Sequence, residues 1–138
     1  NEYATGERQR FDLPLRIKGS DFQRAVCTAI LAIPFGDTRT YGEIARDLGV
    51  PAQAVGGACG GNPIPVIIPC HRVMGAKGLT GFSGAGGVET KVALLRHEGA
   101  AGLLIVWSGN TKITSIVIRK NSTPLKYWMT TNHYVCLK

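Results

Sequence analysis

Thr40-Tyr41-Gly42-Glu43-Ile44-Ala45-Arg46-Asp47-Leu48-Gly49-Val50-Pro51-Ala52-Gln53-Ala54-Val55 is the stretch whose reading decides the fold. Thr40 and Glu43 stand at capping-box spacing. Ile44, Ala45 and Leu48 then share one helical face, and Gly49-Val50-Pro51 closes a short helix. A second helix starts near Pro51. Ala45, Gly49 and Val55 fall where a helix-turn-helix needs a small residue at the crossing, a glycine in the tight turn and an apolar anchor.

Upstream, Ser20-Asp21-Phe22-Gln23 repeats the capping pattern. Phe22, Ala25, Val26, Ala29, Ile30 and Ile33 recur at helical spacing until Pro34, which predicts a core helix from Asp21 to Ala32. Before it, Phe11-Asp12-Leu13-Pro14-Leu15 alternates as an edge strand would.

Downstream, Gly56, Gly57, Gly60 and Gly61 each cost a helix about 1 kcal/mol relative to alanine. Close backbone approach, to DNA or to another helix, would explain them. Ile64 to Ile68 is a β-branched run broken by Pro65, and six glycines between Gly75 and Gly87 mark a loop-rich stretch. A last helix, Glu89 to Glu98, carries Val92, Leu94 and Leu95 and stops at Gly99. Beyond it, Ile113 to Ile118 fits a strand and Trp107, Tyr127 and Trp128 offer packing surface. The pattern there is otherwise that of a passive or poorly ordered extension.

With 138 residues, 44% of them hydrophobic, the chain suits one ordinary globular domain. Apolar runs such as Leu103 to Trp107 fall far short of the roughly 20 residues a membrane span needs, and no signal-peptide core opens the chain. A cytoplasmic protein without membrane association is expected. Cys27, Cys59, Cys70 and Cys136 form no Cys-x-x-Cys pair, so free thiols are expected, and neither a disulfide scaffold nor a metal site. The net charge of +7 suggests an anionic partner. Residues 1 to 69 sum to zero, however, while Lys112, Arg119, Lys120, Lys126 and Lys138 lie in a tail without acids. Any DNA-binding reading must therefore rest on motif geometry and not on overall basicity.

Cys70 stands beside His71. An ordinary thiol is only a few per cent thiolate at about neutral pH, so a neighbouring imidazole can raise its nucleophilicity. A buried structural cysteine is the alternative. Likewise Tyr41 reads alone as a helix-start aromatic, Asn62 as part of an Asn-Pro turn, and Glu98 as a solvated last-turn residue.

Ile67-Ile68-Pro69-Cys70-His71-Arg72-Val73 resembles the signature of the O6-alkylguanine-DNA alkyltransferases. The resemblance runs from Phe11 to Ala100 through Thr40-Tyr41-Gly42, Ala54-Val55-Gly56, Asn62-Pro63, Gly81-Phe82-Ser83-Gly84 and Leu94-Leu95 with Glu98-Gly99. It implies a mainly α fold with a small β wing, a winged helix-turn-helix over residues 20–100. Residues 1–19 are then a remnant of an amino-terminal domain or a linker, and 101–138 an extension of unknown role.

The implied activity is DNA repair by direct reversal. A methyl or alkyl group passes from O6 of guanine, or O4 of thymine, to the protein's own Cys70, once per molecule, without metal or organic cofactor. The implied partner is double-stranded DNA, bound by a monomer through the minor groove with the lesion flipped out. Cys70 is then the nucleophile, His71 takes its proton through a water, Glu98 orients His71, Tyr41 serves the base, and Asn62 pins the hinge. Gln53, Ala54, Gly56, Gly57, Cys59, Arg72, Val73 and Ser83 are the implied DNA and substrate contacts, the Val73 carbonyl reading the exocyclic amine.

The chain departs from the family at several positions. Gln53 replaces an arginine that enters the DNA stack, and Gly60 a basic residue, so weaker DNA engagement is expected. Phe82 replaces a tyrosine, and Cys27 a tryptophan whose loss leaves a packing gap. Three other function classes compete, the last a cysteine hydrolase, for which the sequence gives no nucleophile elbow or other hydrolase signature. A lesion-binding protein without transfer would lack the acceptor cysteine, and a helix-turn-helix regulator would need base-reading side chains that the glycine-rich 56–61 segment lacks.

Overall fold

A computed structural model describes residues 1–76, 78, 79, 82, 84–108, 111–120, 123–130 and 133–137, with backbone alone over 102–117 and 119–137. Helix α1, Asp21–Leu31, opens with the Ser20 hydroxyl accepting from the Gln23 amide at 3.1 Å and buries Val26, Cys27 and Ile30. It ends one residue before the predicted boundary, ahead of Pro34.

Helix α2, Tyr41–Leu48, carries the expected capping box. The Glu43 amide donates to Thr40 Oγ1 at 3.1 Å, and the Thr40 amide donates to the Glu43 carboxylate at 2.7 Å. Gly49 ends α2 with φ 67°, a left-handed conformation that costs a residue with a Cβ and that glycine takes freely. Helix α3, Ala52–Gly60, follows. Ala45 and Val55 are buried where α2 and α3 meet, in one cluster with Val26, Ile30, Ile44 and Ile68, so the helix-turn-helix is present as read.

Strand β1, Arg39–Thr40, pairs in parallel with β2, Val73–Met74, and ties the start of α2 to the chain leaving Cys70. Helix α4, Gly87–His97, starts two residues earlier than predicted. Through Ala100 the chain is thus mainly α with a small two-stranded wing. Phe11 to Leu15 forms no strand; instead Leu15 and Ile17 pack against the first core cluster. No described helix is long and apolar enough to cross a membrane.

The largest departure lies beyond Ala100. Where a passive or poorly ordered extension was expected, Ala101–Ser108, Thr111–Lys120, Thr123–Thr130 and His133–Leu137 form strands β3 to β6 of an antiparallel meander, which removes the second of those alternatives. The expected strand at 113–118 lies within β4. Ala101 and Ile118, paired across β3 and β4, are buried with Leu95, Met74 and Leu79, which seats the sheet on α4. The expected packing of Trp107, Tyr127 and Trp128 lies outside the described side chains.

Candidate active site

The loop from Asn62 to Pro69 delivers Cys70, and Asn62 shapes it. Its Oδ1 accepts from the Ile64 amide at 3.0 Å, and its Nδ2 donates to the Ile68 carbonyl at 2.8 Å. One buried amide thereby satisfies two backbone groups of an irregular segment. Val66 within it has φ 75°, a conformation that costs a β-branched residue roughly 1–3 kcal/mol and that the surrounding bonds must hold.

Cys70, His71 and Arg72 form a single 3-10 turn, all three buried. Behind it, Glu98 at the end of α4 collects donors. His71 Nε2 lies 2.7 Å from Oε1, Arg72 Nε is 2.8 Å from Oε2 and Arg72 Nη2 2.9 Å from Oε1, while the Tyr3 hydroxyl donates at 2.7 Å to Oε1. Arg72 Nη1 also donates to the Ile33 carbonyl at 2.7 Å, and its guanidinium lies over the Phe35 ring. Burial opposes ionisation of Glu98, but bonds from His71 and Arg72 outweigh it and push the carboxyl down to about 2. Burial, helped by the same carboxylate, holds the Tyr3 phenol above its ordinary range.

Because Glu98 is ionised at neutral pH it only accepts, so His71 Nε2 must carry the proton in that contact. In the neutral imidazole Nδ1 is then the free lone pair. This nitrogen is buried without a hydrogen-bond partner among the described residues.

The Cys70 thiol is pushed down to about 6. A bond from the Cys59 thiol is the largest cause; burial works against it, and the Asn62 amide and the charge of Lys91 assist. Cys59 moves the opposite way because it donates to Cys70 and is itself buried, and the Tyr41 hydroxyl bonds it in turn. Lys91, fully buried, donates to the Val73 carbonyl at 2.6 Å, and burial brings its ammonium down to about 8. Cys27 does not face an open gap: Gln23 Nε2 lies 3.7 Å from its sulfur and 2.8 Å from the Ala58 carbonyl.

On the opposite side of α3, Tyr41, Gly42, Ala52, Gln53, Gly56, Gly57 and Ala76 line an open cavity of about 640 Å³. Gln53 and Gly57 are exposed, while Ala54 and Gly56 are half-buried. A Cβ added at Gly56, Gly57 or Gly60 would meet nothing within 4 Å. Packing against another helix of this chain therefore does not explain these glycines.

The structure thus brings Cys59 and Asn62 to the Cys70 thiol, with Tyr41 bonded to Cys59, pairs His71 with Glu98 behind the turn, and sets Gln53, Gly56 and Gly57 on the cavity face with Ala54 half-buried beside them. Two expected DNA contacts are corrected. Arg72 is only 6% exposed because both edges of its guanidinium are spent on Glu98 and Ile33. Cys59 is turned inward, bonded to Cys70. Val73 is buried, its carbonyl taken by Lys91, and Ser83 lies outside the described residues. No group of three or more His, Cys, Asp or Glu side chains suited to a metal occurs among the described residues.

Sequence reasoning missed Tyr3 and Lys91. Lys91 left a signal, a charged residue on the apolar stripe of Val88, Val92 and Leu95. Tyr3 left none, since its contact with Glu98 spans 95 positions.

Comparison with known proteins agrees with this geometry. Residues 21–100 match the family model of the 6-O-methylguanine DNA methyltransferase DNA-binding domain. A methylated-DNA–protein-cysteine methyltransferase of Mycobacterium tuberculosis is 54% identical over 101 residues, covering 71% of this chain and 60% of the relative. One from Methanosarcina acetivorans is 50% identical over 101 residues, covering 71% and 64%. The crystal structure of Mycobacterium tuberculosis OGT in complex with DNA superposes with a TM-score of 0.66 at 53% identity, covering 70% of this chain and 60% of that one. Schizosaccharomyces pombe Atl1, bound to damaged DNA containing O6-carboxymethylguanine, gives 0.53 at 28% identity, covering 70% and 89%. The chain spans about 60% of the length of the mycobacterial relatives it matches. With its cysteine turn, its helix-turn-helix and 80 matched residues in agreement, the chain belongs to the 6-O-methylguanine DNA methyltransferase family, as its DNA-binding domain.

Proposed function

We propose that this chain repairs alkylated DNA by moving a methyl or larger alkyl group from O6 of guanine to Cys70, once per molecule. O4-alkylthymine is a second substrate. The observation that carries the reading is the buried Cys70-His71-Arg72 turn, in which His71 Nε2 is committed to Glu98 at 2.7 Å and Asn62 and Cys59 hold the Cys70 thiol down. A thiolate is the attacking form, and His71 Nδ1 is the base that receives its proton through a bridging water. Sγ bonds to the alkyl carbon as the bond from that carbon to O6 breaks, and the electron pair stays on O6. Tyr41 donates to the guanine anion, and the Ser83 region meets the charge on O6. The proton that left Cys70 balances the one the departing base takes up.

The thioether has no exit. Cys59 lies beside Cys70, but a thiol does not displace an alkyl group from a thioether as it would a disulfide sulfur, so turnover ends after one transfer. Double-stranded DNA is met by the outer face of α3, in the minor groove, where Gly56 and Gly57 permit close backbone approach. The lesion is flipped out of the base stack toward Cys70. The chain acts as a monomer in a reducing cytoplasm, where a free thiol persists.

Incubation with duplex DNA carrying O6-methylguanine, followed by peptide mass spectrometry, tests the proposal. One methyl group on the Cys70 peptide, at a stoichiometry of one and absent in Cys70→Ala, is expected. Binding of the lesion with an unmodified Cys70 would replace transfer by lesion recognition of the kind seen with Atl1.

A further inference from the structure

We propose that Lys91 is a positioning residue of the Cys70 centre: its buried ammonium fixes the Val73 carbonyl and places a positive charge against the turn that carries the acceptor thiol. The role deepens the transfer reading and depends on it for its biological meaning. Lys91 is 0% exposed on α4, with Val88, Val92 and Leu95 on the same stripe. An aliphatic side chain there would fill the space without the cost of desolvating a charge, so packing does not account for a lysine. Its Nζ donates to the Val73 carbonyl at 2.6 Å, three residues beyond the acceptor thiol and on the strand that leaves it. A backbone oxygen anchored by an ammonium keeps a second lone pair, so the carbonyl stays aimed while still able to accept from a bound base.

The charge acts on the sulfur directly. Attraction between Lys91 and Cys70 lowers the thiol and raises the ammonium, while burial brings Lys91 to about 8 and Cys70 settles at about 6. Between those values an ammonium faces a thiolate. Above about 8 Lys91 loses its proton and the thiolate loses that support. Other titratable groups belong to the same neighbourhood: Cys27 from α1 and Cys59 from α3 act on the sulfur, Tyr41 from α2 bonds Cys59, and His71 and Arg72 of the turn itself are bonded to Glu98. Arg72 and Glu98 neutralise one another through paired bonds, which leaves Lys91 as the cation acting on the thiolate named by these contacts.

The test uses iodoacetamide on the free protein, with Cys70 alkylation followed against pH by peptide mass spectrometry. The wild type should show a midpoint near 6. Lys91→Met should move it up by about one pH unit, a roughly tenfold loss of thiolate below the midpoint. A folded Lys91→Met protein with an unchanged midpoint overturns the proposal. Should that variant not fold, the reciprocal measurement decides. In Cys70→Ser the Lys91 side chain, followed by 13C NMR at Cε, should titrate below its wild-type midpoint, since the coupling is mutual. An unmoved Lys91 titration sinks the assignment. Failure of methyl transfer with these shifts intact would count against the transferase reading and leave the role of Lys91 standing.

Discussion

The two faces of α3 are built on opposite principles. Inward, Cys59 meets Cys70, and behind the turn Tyr3, His71 and Arg72 converge on Glu98 while Lys91 holds the Val73 carbonyl. Outward, Gln53, Gly56 and Gly57 present a surface nearly stripped of side chains beside an open cavity. The inner face is costly to assemble and works only if every partner is present. The outer face is unspent, and its value is what it lets approach. In the transfer proposed above, the acceptor is prepared before any substrate arrives, whereas delivery of the base depends on contacts made with DNA.

Breaking the inner face should produce the largest effect. Glu98→Ala leaves the buried Arg72 guanidinium without its carboxylate, which costs about 3–5 kcal/mol of stability. It also frees His71 from its orientation. Urea unfolding should show the lost stability, and transfer should slow in the fraction that remains folded. A loss below about 1 kcal/mol, the range of an exposed ion pair, would mean that the cluster is not the tight assembly described.

The same carboxylate sets an acid limit. Its folded value of about 2 lies below its ordinary 4.5, so its contribution is full above about 4.5 and disappears as pH falls toward 2. Linkage puts this at about 3 kcal/mol. Stability measured by urea denaturation at descending pH should fall across that window, and Glu98→Gln should flatten the fall. A variant with the same acid profile as the wild type would transfer the effect to other carboxylates.

How much of this could be read from sequence follows the same division. Local signals were sufficient for α1, α2 and the turn at Gly49, because a cap, a left-handed glycine and an apolar stripe act within a few residues. The Cys70 motif was legible as a string. The environment that makes it reactive was not, since Arg72 and Glu98 pair across 26 positions and Tyr3 and Glu98 across 95. An arginine beside the nucleophile reads as a phosphate contact until its carboxylate is found. Of the last four strands only β4 was legible, and β3, β5 and β6 were hidden for a related reason: pairing partners such as Ala101 and Ile118 are chosen by tertiary contact, and β propensity is weak evidence alone.

Sharpening the outer face calls for an addition. Gln53 is exposed at the rim of the cavity, and Gln53→Arg adds a fixed charge and a longer reach toward DNA. Affinity for duplex DNA should rise about tenfold, near 1.4 kcal/mol, with a steeper salt dependence. The iodoacetamide profile of Cys70 should stay as it was. Fluorescence anisotropy at two salt concentrations measures the first, and equal affinity for both proteins would show that this rim does not meet DNA.

The smallest change is the most discriminating. Gly57 lies mid-helix, and outside its own helix backbone no atom of the described residues comes within 4 Å of where a Cβ would stand, so no contact among them requires a glycine there. Gly57→Ala should stabilise the protein by about 0.5–1 kcal/mol, because alanine loses less backbone entropy on entering a helix. If the bare face exists for close approach of DNA, the added methyl should at the same time weaken duplex binding and slow transfer, with iodoacetamide alkylation of Cys70 unaffected. The two readings then move in opposite directions: the melting temperature goes up as DNA affinity goes down. A substitution that raised stability and left DNA binding intact would remove DNA as the reason for the glycines, and with it the contrast between the two faces of α3.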